Sequence, residues 1–131
     1  MHEEIQLIFD QLNNALKKLE EVVVLPLGAQ KYEIDLTIHR FKFTIDLFWK
    51  ALKKKLADEY GVNINAPKPT LQKAYLNGLI SDEAIWLAML DDRNMTSHTY
   101  KESLALEVYE NIKRYTPFLR ASFNKLQAFK N

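Results

Sequence analysis

The sequence predicts an all-α fold, an antiparallel up-and-down four-helix bundle with one additional short helix. Three observations carry this expectation. Apolar residues recur at steps of three and four along most of the chain. Turn formers are scarce, with 3 Gly and 4 Pro against 7 Phe, 6 Tyr and 2 Trp, so the chain must spend its length in long elements rather than in short strands and tight turns. Finally, 131 residues at 47% hydrophobic and 27% charged match one soluble globular domain, taken as residues 1–131, and leave no room for a second.

The first helix is expected over about Glu3 to Leu25, where Ile5, Ile8, Leu12, Ala15 or Leu16, Leu19 and Val22 form one apolar stripe and Pro26 and Gly28 stop it. Periodicity resumes at Lys31 with Ile34, Ile38, Phe41, Ile45, Phe48, Leu52 and Leu56, and closes at Gly61. Such a helix would be roughly 45 Å long. It also carries Leu36, Phe43, Leu47 and Trp49 on other faces, more than one neighbouring helix should cover, which suggests a partner surface. Gly61 to Pro69 reads as a linker. Thr70 is the expected cap of a short helix ending at Asn77 and Gly78. Ser81 is the expected cap of the next, with Asp82 and Glu83 in its first turn and an end near Arg93 or Asn94. Thr99 and Glu102 stand at capping-box spacing ahead of a last helix. Its stripe, Leu104, Val108, Ile112, Tyr115, Leu119, Phe123 and Leu126, keeps phase across Pro117, as a kinked helix or two abutting ones.

Several function classes fall away early. Without Cys there is no disulfide framework, thiolate metal site or cysteine nucleophile. No basic region followed by an apolar core opens the chain and no apolar run approaches a membrane span, so cytoplasmic residence without membrane attachment is expected. The net charge of +1 hides a division: −3 over residues 1–30, +2 over 31–60, −1 over 61–100 and +3 over 101–131. These helices can neutralise one another or expose one basic face.

The segment Asp91-Asp92-Arg93-Asn94-Met95-Thr96-Ser97-His98-Thr99-Tyr100 holds the most chemistry. It falls at the junction of two expected helices, where side chains escape regular packing and can converge on a ligand. Arg93 offers a permanently charged planar fork for phosphate oxygens, and His98 can exchange a proton near neutral pH. Together they suit metal-independent RNA cleavage. The imidazole would take the 2′-hydroxyl proton, that oxygen would attack the adjacent phosphorus, and the guanidinium would stabilise the growing phosphoryl charge, with Asn94 orienting either group. The competing reading is structural: Arg93 pairs with Asp91 or Asp92 at a helix end, and His98 and Tyr100 complete a polar junction.

At these residues the chain resembles a family. Arg93-Asn94-x3-His98-x-Tyr100 is similar to the Arg-x4-His-x-Tyr signature of HEPN domains, the higher eukaryote and prokaryote nucleotide-binding helical proteins. The run Arg40 to Lys50, the triplet Gly78-Leu79-Ile80, and Trp86 with Met89 to Tyr100 resemble the branch called nucleotidyltransferase substrate-binding proteins, which includes HepT-like toxins. Members usually carry Glu where Asp46 stands and a smaller residue at Phe48. The resemblance implies a homodimer whose composite cleft joins the Arg-His motifs of both subunits, and a separate minimal nucleotidyltransferase as partner. It further implies a ribonuclease toxin using Arg93, Asn94 and His98 on RNA, neutralised when the partner adds AMP units to Tyr100. Phosphates there would fill the cleft with negative charge beside Arg93. A second reading of the same branch is a non-catalytic substrate-binding subunit of a split nucleotidyltransferase.

Other candidates read as structural. His39 is expected to be an interior or interface histidine, Lys50, Lys53, Lys54 and Lys55 a solvated helix end rather than an RNA-tracking patch, and Trp49 and Trp86 core or dimer anchors. Asp91 and Asp92 lack a third ligand at helical spacing, so neither a metal nor a cofactor is assigned.

Overall fold

The computed structural model describes residues 2–26, 28, 32–95 and 102–128. Among these residues five helices follow one another: α1 His2–Val23, α2 Glu33–Tyr60, α3 Pro67–Leu76, α4 Glu83–Met95 and α5 Glu102–Ala128. Among the described residues there is no strand, and no helix is long and apolar enough to cross a membrane.

Helix α2 is the hub: it packs against all four others, with α1 and α5 closing one group and α3 and α4 another. Its main stripe is accordingly buried from Ile38 to Leu56, and Leu36, Leu47 and Trp49 pack against the core from partly buried positions. The apolar surplus of α2 is thus mostly absorbed within the chain, and Phe43 alone of that set stays largely exposed, at 56%. In α1 the expected stripe is joined by Phe9, which meets Phe123 of α5 edge-on at 6.3 Å. Glu20 and Asn13 of α1 bind Arg120 of α5 through three guanidinium hydrogen bonds of 2.7–2.9 Å.

Helix ends show where local chemistry overrode the expectation. Helix α3 starts three residues before Thr70, because Pro67 at its first turn needs no amide partner and arrives with a helical φ. Thr70 lies inside, buried, with its hydroxyl donating to the Ala66 carbonyl at 2.7 Å. The cap of α4 is Asp82 rather than Ser81: its carboxylate accepts the Ile85 amide at 3.2 Å and its backbone takes the left-handed conformation, φ 58°. Gly61 ends α2 at φ 66°, its amide returning to the Ala57 carbonyl. Helix α5 runs through Pro117 as one element; the proline faces solvent, where the Lys113 carbonyl left without an amide can turn to water. Thr99 of the expected capping box lies outside the described residues, while α5 does begin at Glu102.

Candidate functional site

Helix α4 is anchored at its start and carries its chemistry at its end. Trp86, 1% exposed, packs edge-on against Phe48 of α2 at 4.7 Å and Phe118 of α5 at 6.0 Å, while Met89 and Leu90 are buried beside it. The last turn, Asp91 to Met95, emerges from this packing with Asp92, Arg93 and Asn94 partly buried.

Arg93 reaches α2. Its Nη2 lies 2.7 Å from Asp46 Oδ1, and its Nη1 donates to the Asn94 Oδ1 at 2.9 Å. Asp46 Oδ1 is fully buried, so this ion pair is shielded from solvent on the carboxylate side. The structural alternative, with Arg93 held by a neighbouring aspartate, is therefore corrected in its partner: the carboxylate comes from α2. Adjacent helical residues point about 100° apart, which turns Asp92 the other way. Its Oδ2 accepts the Tyr115 hydroxyl at 2.8 Å and the Asn111 amide at 3.2 Å, both from α5. Burial, and then the Asp92 carboxylate as acceptor and as neighbouring charge, hold the Tyr115 hydroxyl above the ordinary tyrosine range. Tyr115 also stacks on Phe41 of α2, with centroids 5.9 Å apart at 20°.

The end of α4 is thus held from two sides, by α2 through Arg93 and by α5 through Asp92. Of the sequence candidates, Arg93 and Asn94 stand together here, one on the other. His98 and Tyr100 lie outside the described residues, as do Thr96 and Ser97. Asp46, Asn111 and Tyr115 were not anticipated as site residues. The available signal was Asp46 itself, an acidic residue set one turn from Lys42 and one turn from Lys50, which sequence order could not connect to Arg93.

The other candidates resolve as follows. His39 is exposed on α2, which corrects the interior reading. Lys53 donates to Asn65 at 2.6 Å, Lys54 pairs with Glu4 and Asp58, and Lys55 is 5% exposed with Glu59 at 2.8 Å, so three of the four clustered lysines serve the end of α2. Among the described residues no three His, Asp or Glu side chains gather as a metal site.

A family model described as "Nucleotidyltransferase substrate binding protein like" matches residues 7–128. The chain belongs to that family. A Thermus thermophilus protein of known crystal structure superposes on this member with a TM-score of 0.80 at 32% identity, over 88% of this chain and 98% of that one. A Haemophilus influenzae structure, described as revealing the fold of a substrate binding domain of a nucleotidyltransferase, gives a TM-score of 0.73 at 27% identity, over 91% of this chain and 98% of that one. The Haemophilus influenzae protein named "Probable ribonuclease HepT" is 35% identical over 79 residues, 57% of this chain and 54% of that protein. The match therefore spans about half of that relative's length. The HEPN resemblance and the helical fold it implied hold at the level of the family.

Proposed function

We propose that this chain is the HEPN-type toxin of a two-component nucleotidyltransferase system, a metal-independent endoribonuclease neutralised by AMP transfer to Tyr100 from a minimal nucleotidyltransferase. The observation that carries the reading is the placement of Arg93 and Asn94 on a turn fixed by α2 and α5, immediately before the segment that supplies His98 and Tyr100. In this mechanism His98 takes the 2′-hydroxyl proton and the resulting oxygen attacks the neighbouring phosphorus, displacing the 5′-oxygen of the next nucleotide, which takes a proton from water and leaves as a hydroxyl. Arg93 holds the phosphoryl oxygens as charge builds on them, and Asn94 keeps the guanidinium oriented. A homodimer would face two such sites toward one cleft. The name of the ribonuclease relative supports this class of chemistry.

The description of the Haemophilus influenzae neighbour as a substrate binding domain favours a second reading, a non-catalytic subunit that presents substrate to the transferase. Expression of the chain alone separates the two. Growth arrest relieved by coexpressing the nucleotidyltransferase supports the toxin; normal growth together with tight complex formation supports the binding subunit. Mass spectrometry after incubation with partner and ATP tests the regulatory part, which predicts AMP-sized additions on Tyr100 that disappear in Tyr100→Phe.

A further inference from the structure

Along α2, Lys42, Asp46 and Lys50 follow one another at intervals of four residues, and Phe43 lies beside them within the same roughly 100° arc of the helix. In an isolated helix this spacing would let either lysine pair with Asp46. In the structure Asp46 goes instead to Arg93, which comes across from α4. Among the described residues neither Lys42 nor Lys50 has an acidic partner within ion-pair distance, unlike Lys54 and Lys55 further along the same helix. Lys42 and Lys50 thus stand one helical turn, roughly 6 Å along the axis, to either side of the Asp46 that binds Arg93. Phe43 is 56% exposed in the middle of a long helix whose other large apolar residues are mostly covered.

A row of cations one helical turn apart, interrupted by an exposed aromatic face, suits a single-stranded nucleic acid: phosphates take the cations and a base stacks on the ring. We infer that the backbone of a single-stranded RNA runs along this face of α2, its phosphates on Lys42, Arg93 and Lys50 and one base on Phe43. Asp46 is then the positioning residue that holds Arg93 at the centre of the row. The inference rests on the ribonuclease reading and gives that site a substrate track. Asp46 has a further consequence. Its carboxylate sets a negative charge beside Arg93 that competes with a phosphate for the guanidinium.

The test uses the full chain and a fluorescein-labelled 2′-O-methyl RNA decamer, which lacks the attacking hydroxyl and cannot be cleaved. Affinity is followed by anisotropy across a potassium chloride series. Lys42→Ala with Lys50→Ala should flatten the slope of log affinity against log salt by about 1.4, at roughly 0.7 for each lost phosphate contact on a single strand. Phe43→Ala should weaken binding about fivefold or more with the slope unchanged, since stacking releases no counterions. Asp46→Asn should bind about threefold tighter through loss of the competing charge, yet cleave an ordinary RNA more slowly, and Asp46→Glu should restore both. A merely structural Asp46 predicts weaker binding and slower cleavage together.

An unchanged salt slope in the lysine double variant overturns the track, as does failure of the intact chain to bind the decamer. Dissociation of a dimer in Phe43→Ala with the lysine slope unchanged assigns the face to a second copy and also overturns it. Binding with the predicted slopes but without cleavage of ordinary RNA sustains the track and removes only the ribonuclease reading.

Discussion

Replacing Tyr115 by Phe removes one oxygen from the contact that fastens α4 to α5. The ring stack on Phe41 survives, so the loss is the 2.8 Å hydrogen bond to Asp92, whose oxygen keeps only the longer 3.2 Å bond from Asn111. Hydrogen bonds to charged groups contribute about 1.5–3 kcal/mol when desolvated. Tyr115 and Asp92 are both partly exposed, which lowers the expected loss to or just below the bottom of that range, about 1–1.5 kcal/mol at pH 7. For a chain of this size that corresponds to roughly 3–6 °C in Tm. Alkaline pH adds a signature with a definite sign. The folded hydroxyl is held above the usual tyrosine range, so above about pH 10 the unfolded chain releases a proton that the folded chain retains. The contribution of Tyr115 is present below that pH and is lost as the pH rises. Urea melts followed by circular dichroism from pH 7 to pH 11.5 should therefore show Tyr115→Phe less stable at neutral pH, with a shallower alkaline decline, so that the two curves converge. Parallel curves offset by a constant, or no offset at pH 7, would refute the assignment of the Tyr115–Asp92 bond as the α4–α5 fastening.

Trp86→Ala should lose about 3–5 kcal/mol by opening a cavity between Phe48 and Phe118, whereas Trp86→Phe should lose far less, because it keeps much of the ring and removes a buried indole N–H without a hydrogen-bond acceptor; equal losses in chemical melts would contradict this. Gly61→Ala should destabilise by about 1–2 kcal/mol through backbone strain alone, since a Cβ there meets nothing within 4 Å while φ stays at 66°. Arg120→Ala should cost about 1–2 kcal/mol by breaking the bonds to Glu20 and Asn13, and the loss should shrink at high salt in proportion to its ionic part.

The helices were legible because each buries a stripe, and a stripe is a property of the sequence. Helix ends were less so, since several residues in each turn can cap: Pro67 displaced Thr70, and Asp82 displaced Ser81, each by satisfying or dispensing with an amide more directly. The apolar excess on α2 was visible, but its meaning depended on how many neighbours α2 has, which periodicity does not encode. In the site, Arg93 and Asn94 were legible as residue types at a junction. Their supports were not: Asp46, Asn111 and Tyr115 come from other helices, and each looks locally like an ordinary surface acid, a surface amide and a member of the core stripe. Contacts between helices decide such roles, and spacing along one helix cannot.

We propose that Arg93 and His98 cleave RNA together without a metal. Single-turnover cleavage of an unstructured RNA by the purified chain in excess chelator tests it most directly. Cleavage should leave 2′,3′-cyclic phosphate ends and fall by about a hundredfold or more in His98→Ala and in Arg93→Ala, in keeping with the usual size of general-base and charge-stabilising contributions. Cleavage unchanged by His98→Ala, or abolished by the chelator while Arg93 and His98 are intact, would contradict it.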